Sequence, residues 1–216
     1  MTPCDPVRVA RPSDKLARLM ALERAVVATR NEHKLRELRE ILTGVELLPL
    51  PADVELPRED AETFAENALD KARAAHAATG LAAIADDSGI VASALGGRPG
   101  PRSARYAGPD ATDEENLNLL LSELADKDDR SVAYVAALAY VDGDGNEELV
   151  EGRCEGTLAE QPRGTGGFGY DPAFVPADTG PDDDRTMAEL DPDEKHAISH
   201  RGRAARRLAE VLVSKR

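Results

Sequence analysis

The chain predicts an α/β fold, a mixed and twisted β-sheet flanked by helices, in two lobes with a cleft between them. Three observations carry the prediction. Through the first half of the chain, short apolar runs alternate with helical patterns, as expected of strands joined by crossover helices. Next comes a long apolar run, 131–141, then a turn signal and a second run, together forming an antiparallel hairpin. Two glycine- and proline-rich stretches interrupt these patterns, and such loops are the usual carriers of function.

A length of 216 residues suits one domain, or one domain with two lobes, and is long enough to bury a core. Hydrophobic residues make up 41% and charged residues 31%, as in soluble globular proteins. Aromatic residues are only 3% with no Trp, so the core is expected to be built from Ala, Leu and Val. The net charge of −14 argues against a nucleic-acid partner, which needs a basic face. A small anionic substrate stays open, because local cations or a metal can invert the field inside one cleft. Cys4 and Cys154 lie far apart with no metal-ligand spacing, which fits a reduced, cytoplasmic protein. No run reaches membrane-spanning length and no signal-peptide core is visible, so no membrane association is expected. Residues 1–23 read as a loose extension with a short helix around Leu16 to Leu22, and 24–216 as the working domain.

In chain order, Arg24 to Thr29 is a short buried strand. Asn31 opens a helix with Leu35, Leu38, Ile41 and Leu42 at helical period, and Gly44 closes it. The turn Thr29-Arg30-Asn31-Glu32-His33-Lys34 thus places a helix N-terminus, which favours anions, beside neutral donors and a point charge for phosphate. An Asn cap with a solvated Lys explains the same residues. Val45 to Leu50 is a second strand. A proline-rich acidic connection follows, then a capping box at Thr63–Glu66 and a helix to Thr79 with Phe64, Ala68, Leu69, Ala72 and Ala75 on one face. Lys71 on this helix is an interior phosphate contact or merely solvated.

Leu81 to Ala85 is a strand that runs into Asp86-Asp87-Ser88-Gly89. Adjacent carboxylates at a strand end repel each other unless a cation lies beside them, and magnesium binds through one or two carboxylates plus substrate phosphates. Gly89 turns the chain so that the oxygens face a cleft. A plain Asp-Asp-Ser-Gly turn is the alternative. Glu59 approaches from a second direction. The loop 96–108 beside this corner is too rich in Gly and Pro for regular structure over most of its length.

Thr112–Glu115 is a second capping box, and its helix carries Leu117, Leu120, Leu121 and Leu124 into the core. After the strand 131–141, Asp142-Gly143-Asp144-Gly145 reads as a turn rather than half a calcium loop, and Glu148 to Cys154 returns antiparallel. Gly164 to Pro172 surrounds Phe168 with four glycines, which makes a poor core segment and a good ligand-facing loop. Ala173 to Val175 is another short strand. Ser199 caps the last helix, whose apolar face includes Ala205, Leu208, Val211 and Leu212. His200 and Arg201 then stand in its first turn, against the dipole, and a local rule broken in this way points to function.

Six stretches together resemble the inosine/xanthosine triphosphate pyrophosphatase family. They are Thr29–Lys34; Thr63–Ala68 with Lys71; Ala85–Gly89; Gly96–Gly100 with Ser103–Tyr106; Gly166–Pro172; and Lys195 with Ser199–Gly202. Order and spacing agree from about Val26 to the C-terminus. The resemblance implies an enzyme that hydrolyses ITP, dITP and XTP to the monophosphate and pyrophosphate, with Mg2+ as cofactor and a homodimer as assembly. It implies that Thr29, Arg30, Asn31, Glu32, His33 and Lys34 form the phosphate-facing segment, with Lys71 in support. Asp87 becomes the general base, and the metal ligands are Glu59, Asp86 and Asp87, Asp86 assisting. Ser88 contacts substrate, Phe168 and Gly169 meet the purine, and Tyr170, Asp171, Lys195, His200 and Arg201 frame base and sugar. Two departures stand out: Arg30 replaces the family's usual Gly, and the Gly before the Thr-Phe pair is absent.

The chemistry suits these residue types. A metal and a carboxylate activate water, and lysines receive the leaving pyrophosphate. Donors from Arg201 or His200 to a 6-keto oxygen would be left unpaired by adenine, at roughly 1–3 kcal/mol per buried group. Alternatives are a pyrophosphatase for modified pyrimidine triphosphates and a non-catalytic purine nucleotide sensor.

Overall fold

The computed structural model describes residues 24–214; the expected extension 1–23, with its short helix and Cys4, lies outside them. A single six-stranded sheet runs in the order β2-β1-β3-β4-β5-β6. The strands are β1 Arg24–Val27, β2 Glu46–Pro49, β3 Ala82–Ala92, β4 Ser131–Val141, β5 Glu147–Leu158 and β6 Phe174–Pro176. β1 is parallel to both β2 and β3, and β3 to β6 are antiparallel in succession, so the sheet is mixed. The helices are α1 Glu32–Ile41, α2 Phe64–Thr79, α3 Asp113–Glu123, α4 Pro192–Ile198 and α5 His200–Ser214.

Each sheet face buries its own helices. On one, Leu38 and Leu42 at the α1 end and Ala204, Ala205 and Leu208 of α5 pack on Val27, Ile84, Leu138 and Tyr140. On the other, Phe64, Ala68, Ala72 and Ala75 of α2 pack on Val26, Ala83, Ala85, Ala137 and Ala139. Leu117, Leu120 and Leu124 of the α3 region close a third cluster with Ile90, Tyr134 and Phe174. As composition required, the core is mostly small aliphatic residues.

Local signals placed most termini. Asn31 caps α1 by accepting from the His33 and Lys34 N–H groups, Thr112 forms a full capping box with Glu115, and Gly80 ends α2 in the left-handed region. Thr63 caps α2, but Glu66 returns its carboxylate to the Thr63 hydroxyl, so only half of that box forms. The Asp142 carboxylate accepts from Asp144 and Asn146, which makes the 142–145 segment a turn. Gly44 does not close α1, which ends at Ile41 with Leu42 as its cap.

The larger correction concerns β3. It does not stop at Ala85; it runs unbroken through Asp86, Asp87, Ser88 and Gly89 to Ala92. All of these pair with β4, which supplies the ladder hydrogen bonds that a local reading cannot see. Gly89 is therefore no turn. It is needed for close approach: a Cβ there would lie 2.2 Å from Ser103 Oγ and 2.7 Å from Gly100 O.

Candidate functional site

Because β3 is continuous, its side chains alternate between faces. Even positions Ile84, Asp86 and Ser88 face α1 and α5, and odd positions Ala83, Ala85 and Asp87 face α2. The two acidic neighbours thus acquire separate partners. Asp86 Oδ1 lies 2.7 Å from Lys34 Nζ, and Asp86 Oδ2 accepts from Arg201 Nε at 3.0 Å. Burial alone would raise this carboxyl, but Arg201 and Lys34 hold it well below the usual carboxylate range. Ser88 Oγ donates to Asp86 and accepts from Arg201, each at 2.8 Å.

On the other face, Lys71 reaches from α2 to the Asp86 main-chain oxygen (2.8 Å), to Asp87 Oδ1 (3.2 Å) and to Glu59. Asn67, one turn earlier, donates to Asp87 Oδ2 at 3.0 Å. Burial pushes the Asp87 carboxyl up and Glu59 adds to it, while Lys71 and Lys34 oppose the rise. Lys71 itself stays firmly charged: burial works against it, but Asp87 and Glu59 more than compensate. Glu59 sits in the connection between β2 and α2. Arg105 fixes it there, donating to the Glu59 main-chain oxygen with its guanidinium 3.7 Å from the carboxylate.

Asn31, Lys34, Ser88, Phe168, Gly169, Tyr170, Asp171, Lys195, His200 and Arg201 all line one hollow. Phe168 is half-buried rather than exposed: its ring stacks on His33 (centroids 5.1 Å apart, planes at 24°), with Lys195 Nζ 5.2 Å and the Arg201 guanidinium 5.9 Å from its centroid. Tyr170 and Asp171 hold the loop. The Tyr170 hydroxyl donates to Ser103 O at 2.7 Å. Asp171 accepts from Tyr134, from the Phe168 N–H and from Lys195 at 2.9–3.0 Å. The Gly169 N–H donates to Asp113 at 2.8 Å. His200 lies flat against Tyr134 (4.6 Å, 11°), and burial pushes its pKa down to about 3, so the ring is neutral. Its Nδ1 is the one buried side-chain polar atom among the described residues with no partner.

Several sequence-assigned residues fall elsewhere. Arg30 faces away from the hollow and donates to the Leu50, Pro51, Ala52 and Val54 carbonyls at 2.6–3.3 Å, clamping the start of the Glu59 connection. Glu32 is exposed in the first turn of α1, outside the lining of the hollow. Thr29 accepts from the Asn31 N–H at 3.1 Å and so braces the cap. Asp86 does not join Glu59 and Asp87, and no cluster of three His, Cys, Asp or Glu able to hold a metal occurs among the described residues. The expected trio becomes a pair. That pair still suits a hard cation that takes one or two carboxylates and completes its shell with phosphates.

Sequence reasoning missed Glu37, Asn67 as a side chain in its own right, Ser103, Asp113, Tyr134 and the whole of α4. For Asn67 the signal was present: with Lys71 it breaks the otherwise apolar stripe Phe64, Ala68, Ala72, Ala75. For α4 the signal was the capping box Asp191–Glu194 with Pro192 at the first helical position.

The Ham1 family model matches residues 25–211. The chain belongs to the Ham1 family. A dITP/XTP pyrophosphatase of Symbiobacterium thermophilum is 49% identical over 197 residues, covering 89% of this chain and 96% of that protein. The dITP/XTP pyrophosphatase of Mycobacterium tuberculosis (strain ATCC 25618 / H37Rv) is 50% identical over 198 residues, with 88% and 95% covered. Among solved structures, a HAM1 protein from Coxiella burnetii superposes with a TM-score of 0.79 at 42% identity, covering 89% of this chain and 99% of that one.

Proposed function

We propose that this Ham1-family chain is a pyrophosphatase that hydrolyses dITP, ITP and XTP to the monophosphate and pyrophosphate, removing non-standard purines from the nucleotide pool. One observation carries the reading: Lys34, Phe168, Lys195, His200 and Arg201, from distant parts of the chain, line one hollow, and its floor strand β3 also carries Asp87, which meets Lys71 of α2 and, through it, Glu59. In this reading the hollow is the cleft between two lobes, one bearing α1 and the other the 164–172 loop.

The purine stacks on Phe168, and the neutral His200 offers its unpartnered Nδ1 to the 6-keto edge. Adenine presents an amino group there, and a mismatched buried group costs roughly 1–3 kcal/mol. Lys34 and Lys71 receive phosphate charge. Asp87, whose basicity burial raises, takes the proton of the attacking water. Magnesium is part of the proposal, with Glu59 and Asp87 as its protein ligands; when bound it supplies phosphate charge neutralisation and a more acidic water. A homodimer follows from the family resemblance and is checked by light scattering. A cytoplasmic setting is part of the proposal, on the cysteine usage of the sequence. No described helix is long and apolar enough to cross a membrane.

A pyrophosphate-release assay with ITP, dUTP and ATP, with and without magnesium, tests the reading. Magnesium-dependent turnover of ITP well above ATP is expected. Preference for dUTP moves the activity to pyrimidines, and binding without turnover overturns the enzyme.

A further inference from the structure

Glu37 lies outside every stretch that carries the family resemblance, yet it is the acid that accepts from both cations on the base side of the hollow. It sits one turn beyond Lys34 and His33 on the same flank of α1, at the i+3 and i+4 spacing that brings side chains together. Its side chain is only 12% exposed. Oε1 accepts from Lys195 Nζ of α4 at 2.8 Å, and Oε2 accepts from Arg201 Nη1 of α5. Burial would raise this carboxyl, but Arg201 and Lys195 hold it down at about 2, so it is charged throughout the working range.

The links form a continuous ribbon of alternating charge: Lys34 to Asp86, Asp86 to Arg201, Arg201 to Glu37, Glu37 to Lys195, and Lys195 to Asp171. Three cations meet three anions, and Glu37 is the link that joins Lys195 to Arg201. Both cations flank the Phe168 ring. Without a carboxylate between them they repel each other, and each keeps a single carboxylate partner, Asp86 for Arg201 and Asp171 for Lys195. Buried charges relax by moving when their counter-charge is lost.

We propose that Glu37 is the positioning residue for base selectivity: it fixes Lys195 and Arg201 against the purine site from the helix that also carries the phosphate-facing Lys34. The inference rests on the functional reading above and deepens it. Base recognition and phosphate binding then share one rigid element, α1.

Two variants test it. Glu37→Gln keeps the shape and removes the charge. Glu37→Asp keeps the charge but is one methylene shorter and cannot span both cations. In both, the ITP/ATP ratio of kcat/KM is expected to fall, by about tenfold or more in Glu37→Gln, with most of the loss in KM for ITP rather than in kcat. Lys195→Met in the Glu37→Gln background is expected to lower the ratio by less than it does alone, because the two act as a unit. A purely structural role lowers Tm and reduces kcat for ITP and ATP alike, leaving the ratio unchanged; that result in the folded Glu37→Asp variant overturns the inference even if Glu37→Gln fails to fold. Absence of ITP turnover in the unaltered protein overturns the functional reading itself and this inference with it.

Discussion

Asp86 and Asp87 are consecutive in β3 and point to opposite faces of the sheet, Asp86 to Arg201 and Lys34, Asp87 to Lys71 and Asn67. Their carboxylates bond different side chains and so anchor two charge networks on the two faces of β3, with the Lys34 charge felt by both. The same conservative change at the two positions therefore has different consequences. Asp86→Asn removes the carboxylate that the fully buried Arg201 shares with Lys34, leaving Arg201 with Glu37 alone and Lys34 without its ion pair, and breaking a buried pair costs up to about 3–5 kcal/mol. A large drop in Tm is expected. Asp87→Asn removes a charge that burial already disfavours and leaves Lys71 bonded to Glu59, so Tm is expected to hold while pyrophosphate release disappears. Melting curves and the release assay on both variants check this; similar melting losses would contradict the two-network arrangement.

Gly152, on β5, touches no residue of the hollow through a side chain, yet a Cβ there would lie 2.1 Å from His200 O and 2.5 Å from Ala204 N. Both contacts are backbone and cannot rotate away. Gly152→Ala forces α5 outward and carries His200 and Arg201 with it. Overpacking of this kind costs typically about 1–3 kcal/mol. A lowered Tm together with a raised KM for ITP is expected, and unchanged kinetics would show that α5 tolerates the shift.

Acid should destabilise the fold through two identified groups. The folded-state pKa of His200 is about 3 against an ordinary 6.5, so the unfolded chain binds a proton that the native one refuses. That stability is whole above 6.5 and is lost as pH falls towards 3, at about 1.4 kcal/mol per pH unit. Glu37, at about 2 against 4.5, adds a second loss that begins only below 4.5. Denaturant titrations from pH 7 to 4 are expected to show stability falling, and His200→Gln is expected to remove the slope between 6.5 and 4.5 while sparing the later one.

Phe168 offers its ring with His33 on one side and two cations nearby. Base–aromatic stacking is worth about 1–3 kcal/mol, so Phe168→Ala is expected to raise KM for ITP roughly 5- to 150-fold. The loop is pinned independently by Asp171 and Asp113, so Tm should change little. A KM that does not move would remove the ring from the base site.

Much of this molecule was readable one segment at a time. The cap at Asn31, the box at Thr112, the left-handed Gly80, the hairpin turn at Asp142 and the full span of β4 each depend on neighbours a few residues apart, and they form where that local chemistry puts them. The hollow's lining was largely legible too, because lysines, glycines and a ring in those contexts are poor core and poor surface.

Long-range contact decided the rest. Gly89 looked like a turn until β4 extended the ladder past it and Ser103 filled the space that a side chain would need. Arg30 looked like a phosphate contact until four carbonyls of the β2–α2 connection took its donors. Glu37 looks like an ordinary acid and Asp86 like half of a metal-binding pair, since the partner that sets both apart is an arginine more than a hundred positions away. Residue types and spacing set which chemistry the chain carries; only the folded sheet, by alternating its side chains between two faces, settles which charges meet.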